Sequence, residues 1–201
     1  MTASFMHYCK KIKQLLLANL LACILSLLSM PVIAIQAGDS NLTILRADIE
    51  ALEDSYLLNA DIDIKFNEEI EQALIKGFEL NFITEFQLVT PHQYWFDDEI
   101  ATVTRRVTLS YHALSRQYLL THGEQQKTFA TLEDAVVALS ELRGSKVFLK
   151  SDVQRVGIYK ATLLLRLDKT KLPKTLQGDA INLDDWKMTS QRFEWSPNLF
   201  K

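Results

Sequence analysis

The chain has 201 residues and a formal net charge of −3, but these totals combine two unlike pieces. Residues 1–34 contain three lysines and both cysteines, Cys9 and Cys23, and all 25 acidic residues lie after residue 34. The cysteine-free remainder excludes a disulfide scaffold, a cysteine nucleophile and a thiolate metal site. Its acidic balance argues against nucleic acid as a partner, because nucleic-acid binding depends on clustered Lys and Arg.

The first 34 residues have the layout of a secretory signal peptide. A basic stretch ends at Lys13, an apolar run continues to Leu28, and small residues precede a cleavage position after Ala34. We therefore expect residues 1–34 to be a signal peptide and residues 38–201 to form a single β-rich exported domain in the periplasm.

Two other interpretations of the leader stay open. Residues 14–35 are long enough to span a bilayer, which needs ~20 apolar residues, and would anchor an uncleaved chain in the inner membrane. Cys23 ends a segment that resembles a lipoprotein box, although apolar rather than polar residues follow it. All three interpretations place the domain outside the cytoplasm and give it contact with the membrane only through its N-terminal segment.

Period-two alternation dominates the start of the exported part and predicts strands with one buried face. Residues 45–51 place Leu45, Ala47, Ile49 and Ala51 on the apolar face, and residues 56–66 place their even positions there. The polar residues 53–55 predict a turn between the two runs, so we expect a hairpin. Asn67 then predicts a helix N-cap, and Gly77 suits the end of that helix.

Further strands are predicted at residues 78–88 and 101–111, with a loop over residues 91–99 between them. A strand is predicted at residues 116–121. A second helix is predicted to begin at an approximate capping box that opens at Thr131, to carry an apolar stripe that includes Leu142, and to end at Arg143-Gly144. Two further strands near residues 146–149 and 158–168 and a short final strand at 186–195 follow. Short turns connect most strands. The expected fold class is α+β, mainly antiparallel β, a β-sandwich-like single domain with two short helices and a preceding N-terminal apolar helix.

No standard catalytic motif, phosphate loop or dinucleotide fingerprint occurs in the sequence. His92, His112 and His122 are spaced too widely for a local metal site. Ser110 and His112 alternate along one strand about 7 Å apart, which is too far for a nucleophile and its base. The sequence thus predicts no catalytic residue, no metal site and no cofactor, and favours a protein that is not an enzyme.

The most unusual segment surrounds three consecutive aromatic residues, Tyr94, Trp95 and Phe96, followed by the acids Asp97, Asp98 and Glu99. Tyr94 and Trp95 could stack on a sugar or peptide, and Asp97 could add an oxygen ligand. The alternative is that two rings plug the end of the sandwich while the acids solvate the turn.

For each of three further candidate binding residues, a structural role is the alternative to ligand binding. Arg105 and Arg106 point to opposite faces of one strand, so one of them lies near the core. We expect it to pair with Glu85 or Asp63, and an anion-binding pocket is the alternative. Arg116 is a candidate because it could join the two rings in one pocket, and Trp186 is either a binding surface or a closure of the core.

Several blocks resemble an uncharacterised bacterial family, domain of unknown function 4390, over roughly residues 42–197. They are Pro91-x-x-Tyr94-Trp95-x-Asp97-x-x-Ile100-Ala101, Leu109-Ser110-Tyr111-x-Ala113-Leu114-Ser115-Arg116-Gln117-Tyr118, Phe129-Ala130-Thr131-Leu132-Glu133-x-Ala135, Arg166-Leu167-Asp168-x-x-x-Leu172-Pro173-Lys174 and Asp185-Trp186. The resemblance implies a proteobacterial envelope protein, accessory to a membrane sensor, and it assigns no functional residue.

The sequence therefore favours a non-enzymatic periplasmic binding or interaction module whose partner is an envelope or membrane sensor protein. The first alternative is an envelope hydrolase or carbohydrate-active protein that uses Asp97, Asp98 or Asp185, which requires two carboxylates about 5 to 9 Å apart across a cleft. The second alternative is a purely structural envelope protein, which requires Tyr94 and Trp95 to be buried.

Overall fold

A computed structural model of the chain describes residues 41–172 and 186–200. The described residues belong to one compact unit, Ala37–Lys201, and the predicted leader lies outside them. The strands are β1 (Asn41–Leu52), β2 (Ser55–Lys65), β3 (Leu80–Thr90), β4 (Asp98–His112), β5 (Gln117–His122), β6 (Gln125–Phe129), β7 (Glu141–Leu149), β8 (Lys160–Leu167) and β9 (Phe193–Trp195), and the helices are α1 (Glu68–Ile75) and α2 (Leu132–Ser140). Within the residues that the structure describes, no helix combines the length and hydropathy needed to cross a membrane.

The strands form two antiparallel sheets. The small sheet has the order β1-β2-β7, and the large sheet has the order β6-β5-β4-β3-β8-β9. Helix α1 leads the chain from the small sheet to the large one, and helix α2 leads it back. The two helices of the described residues are therefore crossover elements between the sheets.

One hydrophobic core lies between the sheets and includes residues from both helices. Phe86 on β3 stacks on Phe148 on β7 with ring centroids 6.2 Å apart, so this contact joins the large sheet to the small one. Phe148 also stacks on Tyr56 of β2 at 4.7 Å. The predicted fold class is confirmed for the mainly antiparallel β architecture with two short helices, whereas the predicted apolar N-terminal helix falls outside the described residues.

Local sequence signals placed several elements correctly. Strands β1 and β2 pair as the predicted hairpin, and the even positions of β2 from Tyr56 to Ile64 are buried. Asn67 caps α1, because its Oδ1 accepts a hydrogen bond from the backbone N–H of Ile70 at 2.9 Å. Gly77 follows that helix with φ of +90°, a left-handed conformation that favours glycine.

The predicted apolar face of β1 is wrong at Leu45. The pairing of β1 with β2 shifts register between Ile44 and Arg46, so Leu45 is the extra residue of a β-bulge. One inserted residue reverses the alternation, so Ile44 is buried on one side of the bulge, Ala47 is buried on the other, and Leu45 is 63% exposed. Ala51, expected on the same buried face, is also exposed.

One strand was not predicted, and two predicted boundaries are wrong. Strand β6 was not predicted, because its residues are polar and mostly exposed at the edge of the large sheet. Helix α2 ends at Ser140 rather than at Gly144, and Leu142 is buried in β7, opposite Ala60 of β2. The final strand covers only Phe193–Trp195.

Candidate functional site

The loop between β3 and β4 presents the aromatic tip, which we define as Tyr94, Trp95 and Phe96. The three side chains are 82%, 78% and 97% exposed. The alternative in which two of these rings plug the end of the sandwich is therefore wrong. The condition for a purely structural protein, burial of Tyr94 and Trp95, is also not met.

The base of this loop is closed by hydrogen bonds from His92. Its backbone N–H donates to Oδ1 of Asp97 at 3.1 Å, and its ring Nε2 lies 2.9 Å from Oδ2 of Asp98. The two carboxylates thus hold the start of the loop against its end. This geometry presents the aromatic tip on a closed hairpin rather than on a loose segment.

The acids of the loop serve this closure. Asp97 and Asp98 both bind His92, and Glu99 accepts a hydrogen bond from Nε2 of Gln87 at 3.2 Å. Asp185, the third acid of the hydrolase hypothesis, lies outside the described residues. In residues 41–172 and 186–200, no group of three or more His, Cys, Asp or Glu side chains is arranged to hold a metal ion.

Arg116 lies far from the aromatic tip. It follows the opposite end of β4, in the turn before β5, where it is exposed and has φ of +53°. Strand β4 has 15 residues, and a rise of ~3.3 Å per residue separates its two ends by roughly 45 Å. The two rings and Arg116 therefore do not line a common pocket.

The turn that contains Arg116 also joins His112 to Ser115. The ring Nδ1 of His112 lies 2.9 Å from Oγ of Ser115, and the Ser115 backbone N–H donates to the same ring nitrogen at 3.4 Å. Both residues are exposed. The backbone bond indicates that the histidine closes this turn, just as His92 closes the loop at the other end of β4.

Trp186 is fully buried, and its indole Nε1 donates to Oε1 of Glu69 at 3.0 Å. Glu69 belongs to the first turn of α1, so the pair fixes the C-terminal segment against that helix. Trp186 therefore closes the core, the alternative that the sequence allowed, and offers no surface to a ligand.

The expected ion pairs of Arg105 are not formed. Glu85 accepts from Nη2 of Arg166 at 2.8 Å, and Asp63 lies 3.0 Å from Nζ of Lys65. Arg105 is partly buried, and desolvation lowers the pKa of its guanidinium. Within the described part of the chain, the Arg105 side chain has no carboxylate within ion-pair distance.

Arg105 instead faces a cavity of about 300 Å³, which we call the basic pocket. Three buried apolar side chains, Val107, Leu120 and Leu139, lie on its wall. Lys127 of β6 and Arg143 of β7 also line the cavity. The structure thus combines an apolar surface with cationic side chains, the arrangement expected for the anion-pocket alternative.

Sheet pairing explains how these residues meet. Leu109 of β4 pairs with Leu120 of β5, which pairs with Lys127 of β6, so these side chains share one face of the large sheet. Helix α2 and the start of β7 cover that face with Leu139 and Arg143. Lys127 and Arg143 were not predicted as pocket residues, because the position of Lys127 depends on strand β6 and its register with β5.

The described fold is a two-sheet antiparallel β domain with two crossover helices, an exposed aromatic tip and a basic pocket. The family model described as "Domain of unknown function (DUF4390)" matches residues 39–196. The chain therefore belongs to this family, as the sequence blocks had indicated. No curated protein and no solved structure matches the chain.

Proposed function

We propose that this protein is a non-enzymatic interaction module of the bacterial envelope, which binds a protein partner through the aromatic tip. The observation that carries the proposal is the exposure of three consecutive rings on one closed loop. Isolated exposed apolar residues are common on protein surfaces, but contiguous ones mark interaction sites. Tyr and Trp are also the residues that contribute most to binding energy at protein interfaces.

The size of the tip fits a role at the centre of an interface. An aromatic side chain contributes ~150–250 Å² of buried area, so covering the three rings would bury roughly 500 Å² or more. One partner of a standard interface contributes about 800 Å². The tip could therefore supply over half of such a contact, with the neighbouring turn supplying the rest.

The closed geometry of the loop also supports binding. Ordering a flexible loop on association costs free energy, which a pre-formed loop largely avoids. The bonds from His92 to Asp97 and Asp98 hold the loop ends together before any partner arrives. The tip thus has the pre-organisation that makes a small contact area effective.

The charges beside the tip restrict the partner. Asp97, Asp98 and Glu99 are exposed next to the rings, so the local surface is acidic. An anionic lipid surface would repel these carboxylates. We infer a protein partner with an apolar groove edged by Lys or Arg, and an envelope protein such as a membrane sensor is the class that we put first.

Site-directed photo-crosslinking in cells tests the interaction. A photoreactive phenylalanine analogue replaces Trp95 in one strain and Leu114 in a control strain. Leu114 is 93% exposed in the turn at the other end of β4, so both probes are accessible but lie far apart. We expect one discrete adduct from position 95 that position 114 does not give, and its loss in the Phe96→Ala background.

Identification of that adduct by mass spectrometry then checks the partner class. The same set of adducts from both positions, or none from position 95, would contradict the proposal. An adduct with phospholipid rather than protein would replace the protein partner by a membrane surface.

The proposed compartment depends on the interpretation of the leader and is tested by a separate measurement. We propose export to the periplasm with residues 1–34 removed. N-terminal sequencing of the protein purified from cells should then begin at residue 35. Protease added to spheroplasts should degrade the domain, and full protection from protease would contradict export whether or not the leader is cleaved.

A further inference from the structure

The basic pocket contains a guanidinium, that of Arg105, for which the structure shows no ionic partner among the described residues. Arg105 lies near the middle of β4 on the same face as Val107, which points into the core. Within the described residues, no acidic side chain pairs with it. A partly desolvated guanidinium without a carboxylate costs free energy, because burial disfavours the charged form. This cost indicates that the position serves something other than stability.

The third cation of the basic pocket, Arg143 of the small sheet, already has polar partners. Arg143 donates to Oδ1 of Asp61 and, at 2.7 Å, to the backbone oxygen of Ala60. The charge of Arg143 is thus neutralised locally by Asp61. Among the described lining residues, Arg105 and Lys127 face one acid, Glu141. The Lys, Arg, Asp and Glu side chains of this part of the pocket, with Asp61 counted against Arg143, therefore sum to one net positive charge.

The apolar surfaces of the pocket define the other half of its chemistry. Val107, Leu120 and Leu139 are all at least nine-tenths buried and lie beside the cations. Small-molecule sites combine an apolar lining with a few fixed polar groups, and their volumes begin at about 300 Å³. The volume given above lies at the lower end of that range, which limits the ligand to a short body.

We propose that the basic pocket binds a small monocarboxylate with an apolar body, the carboxylate bound by Arg105 and Lys127. The fork of a guanidinium matches the two oxygens of a carboxylate. The net charge of the pocket balances one negative charge and leaves the second charge of a phosphate uncompensated. The proposal is independent of the aromatic tip and goes beyond the proposed function.

An NMR titration tests the pocket with hexanoate as the probe. The isotope-labelled protein is produced from the full-length coding sequence, and the amides of three lining residues, Leu120, His122 and Lys127, report on the pocket. We expect saturable shifts at these amides with hexanoate, and at least tenfold weaker binding for hexanol, the matched neutral compound. Inorganic phosphate should give no saturable shift there.

Two variants on one strand distinguish a role of the pocket guanidinium from a general effect of the protein's charge. Arg105→Met removes the guanidinium from the pocket, whereas Arg106→Met removes a guanidinium from the opposite, exposed face of β4. We expect Arg105→Met to weaken hexanoate binding at least tenfold, about 1.4 kcal/mol, and Arg106→Met to change it less than twofold. Equal effects of the two variants would overturn the proposal.

Two further outcomes would also decide against it. A second cavity of about 670 Å³ is lined by Lys150 and Arg155, and hexanoate shifts concentrated there would show that another site binds the probe. If Arg105→Met does not fold, the exposed Lys127→Met variant decides instead. We expect it to weaken hexanoate binding several-fold, and unchanged affinity would overturn the proposal.

Discussion

Replacing Phe86 by Ala tests whether one core joins the two sheets. The Phe86 ring is 1% exposed and lies on β3, a central strand of the large sheet. It stacks on Phe148 of the small sheet and contacts Trp195 of β9, with both centroid distances at 6.2 Å. The substitution therefore removes one ring that connects three strands of two sheets.

The expected loss in the free energy of unfolding follows from the burial of the Phe86 ring and from these two ring contacts. Replacing a buried Phe by Ala costs about 3–5 kcal/mol, because the lost transfer energy adds to the cavity left behind. Each aromatic pair adds about 0.5–1.5 kcal/mol beyond the area term. We expect a loss of about 4 kcal/mol, a large fraction of the 5–15 kcal/mol typical of a folded domain. The Tm should fall by about 8–16 °C.

Urea unfolding followed by far-UV circular dichroism measures this loss. The matched control is Phe96→Ala, because Phe96 is the same residue type but is 97% exposed at the aromatic tip. We expect the control to change the free energy of unfolding by less than about 0.5 kcal/mol. A loss below about 1.5 kcal/mol for Phe86→Ala, or similar values for both variants, would refute a shared core.

Three smaller predictions concern helix α1 and the turn after β8. Asn67→Ala removes the side chain that caps the helix at Ile70 and should lower the free energy of unfolding by about 1 kcal/mol in a urea titration. Asn67→Ser keeps a capping oxygen and should lose much less, so equal losses for the two variants would contradict capping. Gly77→Ala should cost about 1–2 kcal/mol, because φ is +90°, a conformation that residues other than glycine rarely adopt. No atom lies within 4 Å of the added Cβ, so this backbone term is the whole cost, and a change below 0.5 kcal/mol would contradict it. Hydrogen bonds from Thr170 lower the pKa of Asp168, so the charged form stabilises the fold above the unfolded pKa of about 4. The stability lost in Asp168→Asn at pH 7 should therefore shrink as the pH falls below about 4, and a difference that stays constant down to pH 2 would contradict it.

Central strands could be predicted from the sequence because their environment is uniform along their length. Strand β2 has a neighbour on each side and one face on the core, so its alternation from Tyr56 to Ile64 matches the burial. Strand β8 behaves in the same way between β3 and β9. In both strands the alternation of residue types along the sequence is enough to predict which side chains are buried.

The errors arise where a distant partner decides the local structure. The bulge at Leu45 depends on the register with β2, which no local pattern in β1 encodes. Leu142 continues the apolar stripe of α2 at a helical spacing from Leu139, but pairing of β7 with β2 begins at Glu141 and ends the helix. Strand β6 carries no apolar alternation because it lies at an edge. Tertiary pairing overrode the local signal in each case.

The candidate site shows the same limit in its charges. Alternation correctly predicted that one of Arg105 and Arg106 lies on the inner face of β4, and the structure shows that it is Arg105. The partner of Arg105, however, depends on the register of β4 with β3. Arg105 lies opposite Thr84, which is buried, so the next residue, Glu85, points to the other face of the sheet. There Glu85 meets Arg166 of β8, one strand further along. The register of β3 with β4 therefore places Glu85 on the opposite face from Arg105. For the same reason the Arg105 guanidinium faces the basic pocket without the expected carboxylate.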